Sequence, residues 1–134
     1  LLAGVVDLGR MAFYYLSMRD AAEEGASYGS IFPNNNQEII SRALSGAVDS
    51  SRVEVQIKIK KASSTYECSS KNACANYVDT CAGNTVVVGD VIEIKVIDPD
   101  FPITMPFLGT FLGKQTKHLE AVNQNPVVRV PVCK

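Results

Sequence analysis

Apolar and small residues recur at helical spacing through residues 1–30, and no proline interrupts them. This periodicity predicts one long helix, roughly 45 Å from end to end at about 1.5 Å per residue. Its second half exchanges large residues for alanine and glycine and gains a charged face. Since a glycine inside a helix costs about 1 kcal/mol, we expect this half to pack closely against a sheet or another helix. The positions that define the pattern are Leu1, Val5, Leu8, Ala12, Tyr15, Ala22, Ala26 and Gly29.

A second, short amphipathic helix is predicted over residues 37–48, after a Pro and Asn-rich break whose asparagines are good N-caps. Strict alternation of apolar and polar residues then predicts a strand over 53–60, with one buried and one wet face. The same alternation over 91–97 predicts a second long strand, antiparallel to the first, and residues 86–88 are also β-rich.

The remaining segments lack such clear periodicity. Residues 62–84 are polar, contain three cysteines and are predicted to form a long loop. Three prolines within residues 98–106 exclude a central strand there, and residues 107–113 are predicted to form a short apolar helical turn. Residues 115–132 are predicted to form one bent strand or two short ones, interrupted at Pro126.

This order of elements favours an α+β fold. A long N-terminal helix packs on a small antiparallel sheet and extends beyond it, with a short second helix and a disulfide-bearing loop. We expect residues 1–30 to form a helix continuous with a globular head of residues 31–134. A chain of 134 residues, 46% of them hydrophobic, suits one such domain.

The charge of the chain disfavours nucleic acid and an anionic membrane surface as partners. The formal net charge is -1, from 13 basic and 14 acidic residues mixed along the chain. No basic patch favours nucleic acid or an anionic membrane surface.

Four cysteines indicate an oxidising compartment and two disulfides, because they form an even set in a small protein. They are Cys68, Cys74, Cys81 and Cys133. A structural zinc site and free thiols are the competing interpretations. For zinc, CxxC pairs are lacking and the chain has a single histidine, His118. Spacing alone leaves all three disulfide connectivities open. Asp98 and Asp100 do not have the oxygen-rich spacing of a calcium loop, so no metal or other cofactor is expected.

The first six residues form an apolar run that stops at Asp7. A membrane-spanning helix needs about 20 apolar residues, so this run does not span a bilayer by itself. Two interpretations fit it: the end of a longer span in a precursor, or a seam that packs against other copies of the chain.

Asp7 and Arg10 stand beside this apolar run, where unpaired charges are costly. One interpretation is an ion pair at i,i+3 within the helix. The other is that either residue pairs with a charge of a neighbouring subunit and fixes the subunit register. Phe13, Tyr14 and Tyr15 fit an interfacial belt or simple packing. We treat His118 as a surface residue, since no residue suited to a catalytic triad accompanies it.

Two motifs follow each other along the first helix: Val6-Asp7-Leu8-Gly9-Arg10, trailed by the Phe13-Tyr14 pair, and the stretch of residues 20–29 with the sequence DAAEEGASYG. In this order and at this distance they resemble the signatures of the TadE-like family, whose members are minor pilins or pseudopilins of the tight-adherence pilus machinery. Leu8 stands where the family often has an aromatic residue. The cysteine-bearing loop has no counterpart in the resemblance.

The resemblance implies a pilin-like fold and a structural, non-enzymatic role in a cell-surface filament. Expected partners are other copies of the chain or other pilins, and the membrane before assembly, which places the protein at the cell surface. The alternative is a membrane-anchored extracytoplasmic domain that recognises a protein or glycan through the 62–84 loop. The expected assembly helix comprises Leu1, Leu2, Val5, Val6, Asp7, Leu8, Arg10, Ala12, Phe13, Tyr15 and Leu16.

Overall fold

The computed structural model describes residues 2–71, 86–105, 110–111, 113 and 115–129. These residues form an α+β structure of two helices and a four-stranded antiparallel sheet with strand order β2-β1-β3-β4. The elements are α1 (Leu2–Ile31), α2 (Asn36–Gly46), β1 (Glu54–Lys60), β2 (Thr65–Ser69), β3 (Val91–Pro102) and β4 (Thr116–Pro126).

The core lies between one face of the sheet and the second half of α1. The alternating apolar residues of β1 and β3 point to this side, and the register sets Ile57 opposite Ile94. The antiparallel pairing predicted for these two strands is therefore confirmed. The glycines of α1 permit close approach, because a Cβ atom added at Gly29 would lie 2.5 Å from Cδ1 of Ile92.

The short helix α2 packs against α1, and a side chain of α1 binds its C-terminal end. Asn35 caps its start, accepting a hydrogen bond from the backbone N–H of Glu38 at 3.3 Å, as the asparagine-rich break predicted. The predicted extension to residue 48 is wrong, since the helix stops at Gly46. The Ser17 hydroxyl of α1 donates to the Gly46 carbonyl at 3.2 Å and accepts from the Val48 N–H at 3.0 Å, which fixes this end of α2 against α1.

The loop predicted over 62–84 is wrong at its beginning, because β2 lies within it and pairs with β1. This is an edge strand, and its side chains are mostly exposed or half-buried. Tyr66 and Cys68 are half-buried against the core and alternate with exposed Thr65 and Glu67, but an alternation over five residues is too short to stand out in a polar segment. The segment 86–88, predicted to be β-rich, lies outside the strands; Val86 is buried there, and the Asp90 carboxylate accepts the Val87 N–H at 3.0 Å.

Strand β3 continues past its predicted end at residue 97 to Pro102, but it is no longer a central strand there, in agreement with the prolines. Its pairing with β1 ends at Ile97, and the register with β4 shifts between Asp98 and Phe101. Beyond Ile97 this strand has a neighbour on one side alone, so Pro99 removes no ladder hydrogen bond to β1.

Over its described residues 115–129 the closing segment forms one strand, β4, which ends at Pro126, where an interruption is predicted. The first half of α1 contacts the head through a segment that lies outside the sheet. A Cβ atom added at Gly4 would lie 3.3 Å from Sδ of Met105, in the segment that follows β3. Leu1 and most of the predicted 107–113 turn lie outside the described residues.

Candidate assembly surface

The two halves of α1 differ in what they present to solvent. In the second half the outward positions are charged or polar, and the small residues face the core. In the first half the outward positions are apolar and exposed. The side chain of Phe13, for example, is 65% exposed. We call this set the outer apolar face: Leu2, Val5, Val6, Gly9, Phe13 and Leu16.

Most of the predicted assembly helix is therefore accessible. Leu2, Val5, Val6, Leu8, Arg10, Ala12, Phe13, Tyr15 and Leu16 are all exposed. Asp7 differs, since it is 7% exposed and faces the head. Leu1 lies outside the described part of the chain.

A groove runs along one flank of the outer apolar face, between α1 and β4. Its volume is about 330 Å³. Four residues of the helix form one wall, and Leu119 of β4 forms the other. The sequence does not indicate Met11 or Leu119 for this surface, because no local pattern shows that β4 runs beside this half of α1. The groove is lined by Leu8, Met11, Ala12, Tyr15 and Leu119.

Asp7 joins the beginning of α1 to the segment after β3. Its Oδ2 accepts the backbone N–H of Met105 at 2.5 Å, and its Oδ1 accepts the Thr104 hydroxyl. The Arg10 guanidinium lies 3.4 Å from the same Oδ1, so the predicted i,i+3 ion pair is confirmed. The Thr104 hydroxyl, and after it the Met105 N–H and Arg10, lower the pKa of this carboxyl below its usual range, against the opposing effect of burial.

The aromatic residues of the predicted belt have different surroundings. Phe13 points outward and Tyr15 borders the groove, whereas Tyr14 is buried with its ring centroid 4.9 Å from that of Phe101. Burial, together with the nearby Asp98 carboxylate, raises the pKa of the Tyr14 hydroxyl. Tyr14 is thus a core residue that fixes α1 on β3.

The carboxylate of Asp98 contacts a side chain and a backbone N–H of the same chain. Its Oδ2 lies 3.4 Å from the guanidinium of Arg52, and its Oδ1 accepts the Asp100 N–H at 3.0 Å. Arg52 also donates to the Asp100 carbonyl at 2.7 Å. This network holds the irregular part of β3, and within the described ranges no group of three His, Cys, Asp or Glu side chains is arranged to hold a metal ion.

Cys68 is the single cysteine among the residues that the structure describes; it lies on β2 and is not a free thiol. Cys74, Cys81 and Cys133 lie outside those residues, as do residues 72–84 of the predicted recognition loop. His118 is exposed, as expected, with its Nε2 3.5 Å from Oε2 of Glu120.

Neither α1 nor α2, over their described residues, combines the length and apolar character needed to cross a membrane. No protein-family model, curated protein or solved structure matches this chain.

Proposed function

We propose that this protein is a structural subunit of the pilin or pseudopilin class, which assembles through the first half of α1 into a cell-surface filament. Its partners are other copies of itself or other pilins, and its action is assembly rather than catalysis. The apolar helix contacts the membrane before assembly. Two disulfides among Cys68, Cys74, Cys81 and Cys133 stabilise the head in an oxidising compartment.

The observation that carries this proposal is the outer apolar face. A helix that is apolar around its whole circumference needs a cover on every side. The head covers one side of this part of α1, where Asp7, Tyr14 and Met18 are buried. The opposite side is exposed to solvent. Removing one large apolar side chain from water is worth about 1.5–3 kcal/mol, so a shared contact along this face favours association.

The change of character after Leu16 supports the same proposal. From Arg19 onward the outward positions carry charge, and the inner ones pack on the sheet. One half of α1 therefore belongs to the head, and the other half offers a surface about 20 Å long to a partner.

The proposal is tested by the self-association of the 134-residue chain in detergent-free buffer. Sedimentation velocity over a range of concentrations should show oligomers, and electron microscopy should show filaments at high concentration. Val6→Glu places a charge on the outer apolar face and should abolish both. Val88→Glu is the matched control, since Val88 is equally exposed but lies in the turn before β3. A monodisperse wild-type monomer at every concentration contradicts the proposal.

A further inference from the structure

The groove beside α1 and the outer apolar face are two different surfaces of the same helix. The four helical residues of the groove centre on a direction about 150° away from that of Phe13, at 3.6 residues per turn. One copy cannot present both surfaces to the same neighbour through a two-fold axis. A contact between them is heterologous: one copy uses its groove and the other its Phe13, so the pair as a whole keeps one free groove and one free Phe13.

Phe13 is the largest apolar side chain of the outer apolar face, and it is 65% exposed. The groove is open, and its surface is almost entirely apolar. Within one chain, neither Phe13 nor the groove is covered by other apolar side chains. Inserting the ring of a second copy into the groove would cover both.

Charges on the two flanks complement each other at matching heights. Asp20 follows Phe13 by seven residues on the same side of α1, which is about 11 Å along the axis. Arg19 follows the centre of the groove by nearly the same distance, on the flank of Tyr15. Both residues are exposed, and no ion pair or hydrogen bond to either exists among the described residues.

We propose that the groove of one copy receives Phe13 of a second copy, while Asp20 of the second copy pairs with Arg19 of the first. The contact joins two parallel α1 helices at almost equal height. It rests on the proposed function and makes it specific, because it names the two surfaces that join. The apolar contact supplies the affinity, and the exposed ion pair fixes the register.

Two variants remove the two sides of this contact. Phe13→Ala removes the inserted ring, and Ala12→Phe fills the groove from an exposed position of the helix. Each should weaken self-association about ten- to a hundredfold in sedimentation velocity. Val88→Ala should leave it unchanged. Circular dichroism checks that the variants keep the wild-type fold.

Mixing the two variants gives the decisive result. Phe13→Ala retains an open groove and Ala12→Phe retains the ring, so an equimolar mixture should form a one-to-one dimer that grows no further. A mixture that stays monomeric, or one that forms long polymers, overturns the proposed contact.

Charge reversal tests the register. Arg19→Asp and Asp20→Arg should each weaken association, and the double variant should restore it, because the pair is re-formed with exchanged signs. If Phe13→Ala and Ala12→Phe associate like the wild type while Val6→Glu does not associate, the groove contact is wrong and the proposed function stands. If the wild type never associates, both are wrong.

Discussion

Asp7 is an acidic residue among apolar neighbours, and three donors compensate its charge. The Thr104 hydroxyl, the Met105 N–H and the Arg10 guanidinium all face its carboxylate. A buried carboxylate without such donors is strongly disfavoured. Asp7 therefore attaches the first half of α1 to the head, and the groups that bind its carboxylate all belong to its own chain. Of the two charges considered for a role between subunits, Arg10 is the exposed one.

Acid should weaken this attachment. The pKa of Asp7 is lower in the folded protein than in the unfolded chain, so its contribution is fully present above about pH 4 and is lost as pH falls through the folded value. Asp7→Asn should lower the urea midpoint at about pH 7, because an amide cannot accept from all three donors. The difference from the wild type should shrink on acidification.

Glu23→Gln is the matched control for this experiment, since Glu23 lies exposed on the same helix and outside the proposed subunit contact. It should leave the urea midpoint nearly unchanged at both pH values. If Asp7→Asn unfolds like the wild type at about pH 7, the attachment does not stabilise the fold.

The sequence predicted part of this arrangement. An acid and a base three residues apart on a helix indicate their own ion pair, and Asp7 with Arg10 confirms it. Thr104 and Met105 come nearly a hundred residues later. No local pattern connects them to Asp7, because their position depends on the continuation of β3 past its prolines.

At the scale of elements, local periodicity predicted α1, β1 and the first part of β3, where one buried face repeats along the chain. It failed for β2, an edge strand whose pairing with β1 does not require apolar side chains. It also failed to select the buried face of the first half of α1. Apolar residues surround that half, so the sequence could not show that Tyr14, rather than Tyr15, faces β3.

The packing of α1 on the sheet leads to a prediction about two of its glycines. Gly29→Ala should destabilise the fold by about 1 kcal/mol. The new Cβ would lie 2.5 Å from Cδ1 of Ile92 and 3.3 Å from Cδ1 of Ile39. Overpacking of this kind costs about 1–3 kcal/mol, which exceeds the gain of up to about 1 kcal/mol in helix propensity.

Gly9→Ala is the paired variant, because no atom lies within 4 Å of its added Cβ. It should stabilise the fold by about 0.5–1 kcal/mol through helix propensity alone. Urea unfolding of both variants at neutral pH measures the difference. Equal stabilisation by both would mean that Ile92 moves aside freely and that the helix–sheet contact is not tight.

At the scale of the whole molecule, the proposed assembly buries one half of α1 and leaves the head as it is. The net charge of -1 opposes close packing of copies only weakly. Amide hydrogen exchange distinguishes the two halves. In the dissociated chain, the amides of residues 2–16 should exchange faster than those of residues 21–29, whose side of α1 packs on the sheet.

On association, exchange should slow within residues 2–16 and stay unchanged in β1. The reason is that the outer apolar face lies on the first half of α1 and the groove lies between that half and β4, whereas β1 is already covered on its inner face by the helices. Comparing dilute and concentrated protein by mass spectrometry makes the test, with Val6→Glu as the non-associating reference. Slower exchange confined to β1 or β2 would locate the interface on the sheet and contradict assembly through α1.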